Sequence, residues 1–384
     1  MKQKTISYIS TIEEEILSLS QFIYNNPELP FKEEKAYNYI VSLLKKFNFN
    51  VKENFLDMDT SFFAQFGEGH PKICYICKYS ASNEGHIYGN HLNAGITVGA
   101  ALALCQAIPK IGGSVVIIGC PGNLFNGGEL ILTKQGAFKD MDIIMCPHVY
   151  NDTLESGTSA GLIPIEISFT SMEDLEEGDA NSSPLDACLS VFNILNSLIK
   201  NNKDLYSIDG IQIKSSDRPY GIHSKAYSRF YIRSSNLCHC EKLERDLRKV
   251  LDSICTTLKV EYKIGLFDTP CEELLTNKSL SRLFTNNLKE CGIIDVECCR
   301  DIPYGLSIGS ISHTTPCIYP SVSICENEKI KFPSKSFEAL TLNSFAKEQC
   351  FKAIEALCLT SIDIIEREDL LREITVELHN NSKS

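Results

Sequence analysis

The stretch GHIYGNHLNAGITVGAALAL, residues 85–104, decides how this chain folds. It begins with glycine and polar residues and passes into a helical stretch that reaches Ala107. The apolar run KICYIC precedes it; SVVIIGC, a short glycine-flanked helix and DIIMCPHV follow it. Strand-length apolar runs that alternate with helical stretches predict a mostly parallel sheet covered by helices, an α/β domain. Gly85, Gly89, Gly99, Gly127 and Gly128 stand where tight turns or close packing are expected.

Upstream, Ser10 and Glu13 have capping-box spacing, and Ile12, Ile16, Leu19 and Ile23 recur at helical intervals. A second helix is expected after Glu33. Near Gly157 the pattern changes. LIPIEISF, YSIDGIQIK, RFYIRS and KVEYKIGLF read as strands; Leu185, Cys188, Phe192, Leu195 and Ile199 mark one helix, and residues 241–258 form another. Strand-helix-strand-strand-helix-strand order describes an inserted ferredoxin-like α+β domain. The expected division is a discontinuous α/β domain, 1–158 and 273–384, and a lid or dimerisation domain, 159–272. The amphipathic region SFEALTLNSFAKEQCFKAIEALCLTSIDII returns to the first domain.

A chain of 384 residues exceeds one hydrophobic core, and 43% hydrophobic residues can fill two. A net charge of −12 opposes nucleic acid and anionic membrane surfaces as partners. No apolar run approaches the roughly 20 residues that span a bilayer, and MKQKTISYISTIEEEIL lacks a secretory apolar core, so a cytoplasmic location is expected. Seventeen cysteines, an odd number, fit reduced thiols, many of them in apolar runs. Cys74 and Cys77 have C-x-x-C spacing without a second such pair; Cys238-His239-Cys240 and Cys298-Cys299 present no tetrahedral set.

In order along the chain, NNPELPFKEEKAYNYI, GHIYGNHLNAGITVGAALAL, CPGNLFNGGELILTKQGAF, SPLDACLSVFNILN, SRFYIRS and GLSIGSISHTTPCIYP resemble segments of the M20 metallopeptidases and amidohydrolases, the branch with aminoacylases and aminobenzoyl-glutamate hydrolases. The resemblance spans almost the whole chain. It implies a zinc-dependent amidohydrolase with a lid domain and a homodimer formed through that lid. Such chemistry needs metal ligands, a carboxylate to deprotonate water, and a donor for the tetrahedral oxyanion.

The matching positions lack these groups. The family's Cys-Gly-His pair falls on Tyr88 and Asn90, with His91 one residue off register. Its paired glutamates fall on Asn123 and Leu124, so the general-base position holds an amide. Ser80 and Ser307 stand at acidic positions, Asp209 at the lid histidine, and Tyr220 at the lid asparagine. His148 in MCPHV is the one retained ligand position, and near the last ligand the chain offers Pro333. One histidine does not make a zinc site. No cofactor is therefore expected, with zinc considered only if His148 and His91 are both recruited.

The resemblance thus implies an intact fold with a degenerate metal site, a pseudoenzyme. Its expected partners are a peptide-like or N-acyl amino acid ligand, a second copy, or an active paralogue. The alternative is a metal-independent or single-metal amidohydrolase or acyl-transfer enzyme using His86, Tyr88, His91, His148 and Cys120 or Cys146. If Cys146 and His148 share a strand, they face the same side.

Overall fold

A computed structural model describes residues 1–122, 127–172, 183–202, 205–215, 224–326 and 330–381. The chain divides into two compact units. The first comprises Met1–Thr158, Leu274–Asp301 and Ser310–Ser384; the second comprises Ser159–Glu273 and Ile302–Gly309.

The first unit begins with helices α1 (Lys2–Thr11), α2 (Glu13–Asn25) and α3 (Glu34–Lys46). The capping box expected at Ser10 is not made: Ser10 lies in α1, and Ile12 is the N-cap of α2 without a side-chain bond. Ile12 is buried with Ile9, Ile16, Leu19 and Ile23, so apolar packing rather than a hydroxyl cap fixes this junction. Then come β1 (Asn50–Glu53), β2 (Phe62–Gly67), β3 (Lys72–Lys78), α4 (Asn90–Leu104), α5 (Ile108–Ile111), β4 (Ser114–Cys120), α6 (Gly128–Lys134), β5 (Ile143–Met145) and β6 (His148–Tyr150).

The second unit contains β7 (Gly161–Ser171), α7 (Pro184–Lys200), β8 (Tyr206–Lys214), β9 (Lys225–Ser234), α8 (Leu237–Thr257) and β10 (Val260–Leu266). Its sheet runs β10-β7-β9-β8 with every neighbour antiparallel, the order a ferredoxin-like βαββαβ chain produces. Alternating burial along β9 puts Ala226, Ser228, Phe230 and Ile232 on the face covered by α7 and α8. Ser183 caps α7 in a reciprocal capping box with Asp186.

The chain re-enters the first unit through α9 (Lys278–Glu290), α10 (Gly309–Ser312), β11 (Cys317–Ile318), β12 (Ser321–Ser323), α11 (Lys335–Leu340), α12 (Ser344–Glu366) and α13 (Glu368–Asn381). The main sheet has the order β1-β2-β4-β3-β5-β11; β4, β3, β5 and β11 pair in parallel, and β1 and β2 extend the edge antiparallel. β6 and β12 form a small parallel sheet. Every residue of α4 is buried. Its Gly99 lets Ile16 of α2 and Ile354 of α12 approach, since a Cβ there would lie 2.8 Å from Ile354 Cδ1. Among the described residues, no helix is long and apolar enough to cross a membrane.

Candidate functional site

The parallel strands of an open α/β sheet carry sites at their carboxyl ends, and β3, β4 and β5 end at Lys78, Cys120 and Met145. Just beyond β3, the backbone carbonyl of Ser80 accepts from Asn90 Nδ2 at 2.9 Å. Gly89, at φ +70°, starts α4 in a left-handed turn; a Cβ there would lie 2.5 Å from Val149 Cγ2. Ser80 Oγ donates to the carboxylate of Glu33, a fully buried side chain. The same carboxylate accepts from Gly122 N at 2.8 Å and Thr60 Oγ1 at 3.3 Å. Glu33 thus fastens the ends of β3 and β4 together. Ser80 and Asn90 are occupied with structural hydrogen bonds.

Tyr88 and His148 do come together, and Phe332 lies between them. The Phe332 ring is 5.8 Å from Tyr88 and 5.6 Å from His148, both edge-on, and 4.8 Å from Tyr150 and Phe337. Pro333, expected near the last ligand position, follows Phe332 directly. Two widely separated positions matched to metal ligands therefore pack against one ring, the neighbour of a third.

The charges at this place are Lys78 and Glu129, both buried, with Lys78 Nζ 2.9 Å from Glu129 Oε1. Burial pulls the Lys78 pKa down, but the acidic groups around it, Cys146, Glu129 and Tyr319, hold it well above the usual lysine value. Its ammonium lies 5.0 Å from the centre of the Tyr319 ring, on which the His148 imidazole stacks at 5.6 Å. His148 is pushed down to about 3, first by loss of water and then by Lys78. It is a neutral imidazole throughout the ordinary pH range.

His91 turns elsewhere. Its ring packs 4.9 Å from His86 and 5.2 Å from Tyr24, and neither ring nitrogen has a hydrogen-bond partner among the described residues. Burial, then His86, pushes its pKa well below the ordinary value. His86 Nε2 bonds the Ile23 carbonyl at 2.9 Å. These contacts give no support to joint recruitment of His91 and His148. Among the described residues, no group of three or more His, Cys, Asp or Glu side chains could hold a metal ion.

Cys146 and His148 do not share a strand: β5 ends at Met145 and β6 starts at His148, so Cys146 lies in the break between them. Burial pushes its thiol up to about 12, and Cys120 also rises well above its ordinary value. Such thiols supply little nucleophilic thiolate. Cys74 and Cys77 are buried in β3. Asn123, Leu124 and Tyr220 lie outside the described residues. Asp209 and Ser307 belong to the second unit, where Asp209 pairs with Arg233 at 3.0 Å.

The sequence reading did not single out Lys78, Glu129, Glu33 or Phe332 for the site. Two of them carried a signal: Lys78 ends a strand whose other interior residues are uncharged, and Glu129 stands between a glycine pair and LIL. A charge in such a run needs a buried partner.

The fold is a two-unit α/β architecture in which the described positions matched to metal ligands and acidic residues hold Ser80, Tyr88, Asn90 and His148. No family model matches the sequence. It is similar to the Xaa-Arg dipeptidase of Mus musculus, 23% identical over 406 residues, covering 98% of this chain and 92% of that protein. It is also similar to a p-aminobenzoyl-glutamate hydrolase component of Escherichia coli K12, 24% identical over 303 residues, with 70% of this chain and 61% of that protein covered. Its fold is shared with the aminobenzoyl-glutamate utilization protein of Klebsiella pneumoniae, at TM-score 0.74, 9% identity and coverage of 93% and 98%. It is shared as well with a Bacillus subtilis protein described as a dinuclear metal-binding M20 peptidase, at TM-score 0.67, 15% identity and coverage of 91% and 99%. The chain is thus similar in sequence to a dipeptidase and an aminobenzoyl-glutamate hydrolase, and in fold to an M20 peptidase. Its described side chains do not fit a dinuclear metal centre: no three His, Cys, Asp or Glu side chains among them could hold a metal ion together, and a buried ammonium stands beside the ring partner of His148.

Proposed function

We propose that this chain is a non-hydrolytic M20-fold protein that binds a peptide-like or N-acyl amino acid ligand, or that partners an active paralogue. The convergence of Tyr88, His148 and Phe332 carries the reading: ligand positions have been rebuilt with packed rings, while Ser80 and Asn90 serve internal hydrogen bonds. Zinc hydrolysis requires an open coordination position and a base beside it. The ring cluster supplies neither. A neutral imidazole pushed down to about 3 is also a poor proton acceptor near pH 7. A second copy or a paralogue would meet the second unit at β8, an edge strand with exposed Ile211 and Ile213.

The test uses purified protein with added zinc and three substrate sets: Xaa-Arg dipeptides, aminobenzoyl-glutamate and N-acyl amino acids. Binding without turnover is expected. Zinc-dependent turnover of any of them refutes the proposal.

A further inference from the structure

Two opposite charges lie where the retained histidine stands, and neither faces water. Lys78 is 6% exposed and Glu129 0%, and they meet at 2.9 Å. Buried ion pairs contribute little net stability against well-packed apolar residues, so one at a former metal site calls for another reason.

The surrounding backbone fixes the lysine. Lys78 N donates to Asn93 Oδ1 at 2.8 Å, and Asn93 Nδ2 donates to the Pro147 carbonyl at 2.6 Å, one residue before His148. α4 thereby ties the end of β3 to the start of β6. The side chain then places its ammonium over Tyr319, the ring against which His148 stacks.

We infer that the Lys78 ammonium is the resident cation of this site, a tethered charge balanced by Glu129 in place of an exchangeable metal ion. An ammonium has no vacant orbital for a lone pair. It supplies positive charge without Lewis acidity, and its field opposes a divalent ion at His148. The inference rests on the M20 correspondence used above but not on the absence of hydrolysis.

The experiment takes the full chain and the variants Lys78→Met, Glu129→Gln, Lys78→Met/Glu129→Gln and Lys78→Arg. Each is equilibrated with zinc, desalted for metal analysis, and melted with and without EDTA. The wild type is expected to retain substoichiometric zinc and melt at one temperature in zinc and EDTA. Lys78→Met should melt on the order of 10 °C lower, because it strands a buried carboxylate. The double variant should recover a large part of that loss, and Lys78→Arg should lose less than Lys78→Met. Stoichiometric zinc in the wild type with an EDTA-sensitive melt overturns the inference, as do strictly additive losses in the double variant. If Lys78→Met fails to fold, the wild-type measurement still decides. Turnover by zinc-free protein would sink the proposed function and spare this inference; bound zinc without turnover would do the reverse.

Discussion

Replacing Ser80 by aspartate restores the acidic residue that M20 relatives are expected to carry, and the structure says that this chain will resist it. Ser80 Oγ donates to a Glu33 carboxylate that is fully buried and also accepts from Gly122 and Thr60. Ser80→Asp removes a donor to a charged acceptor, about 1.5–3 kcal/mol, and sets a second carboxylate beside the first. Two like charges about 4 Å apart repel by roughly 4 kcal/mol at an effective dielectric of about 20. The pair can relieve this by sharing a proton, which returns a donor to the site. Between about pH 4 and pH 7 the folded variant then binds a proton that the unfolded chain does not, so its stability falls as pH rises. The expected deficit in urea unfolding is about 5–7 kcal/mol at pH 8 and about 3–4 kcal/mol at pH 5. Ser80→Asn, which keeps a donor and adds no charge, should lose much less at both. A variant with wild-type stability at pH 8, or with equal deficits at the two pH values, would refute the placement of Glu33 against Ser80.

Three further outcomes follow from the same packing. His86, His91 and His148 all have folded-state pKa values below the ordinary one, chiefly through burial, with His148 at about 3. The stability that this supplies is complete above about pH 6.5 and is lost as pH falls, by about 1.4 kcal/mol per pH unit for each histidine that only the unfolded chain protonates. His148→Phe should therefore flatten the acid limb of a stability-against-pH curve by one proton; an unchanged slope would contradict its lowered pKa. Gly119→Ala should destabilise by about 1–3 kcal/mol in urea unfolding, because its Cβ would stand 2.1 Å from Phe62 Cε1 in a fully buried strand.

Periodicity made much of the fold legible. Ile16, Leu19 and Ile23 mark a buried helix face, and the apolar positions between residues 161 and 266 give the βαββαβ order of the second unit. Local signals failed where tertiary packing outweighed them: the Ser10–Glu13 spacing looked like a cap, but burial of Ile12 places the helix break there. For the site, correspondence with relatives located Tyr88, His148 and Pro333 without revealing that rings would meet between them. Lys78 and Glu129 are 51 positions apart, and strand or helix pattern cannot show that one charge neutralises the other. Short-range reading detects periodic faces; it does not detect partners chosen by the crossing of distant segments.

The seating of α4 has a consequence for how the protein is made. Every residue of that helix is buried, partly against α12, and Cys358 reaches the Ala100 carbonyl across 258 positions of sequence. A nascent chain that has released α4 must therefore expose the apolar face that α12 covers until α12 leaves the ribosome. Chain termination before α12 would leave a sticky, proteolysis-prone product instead of a smaller folded domain.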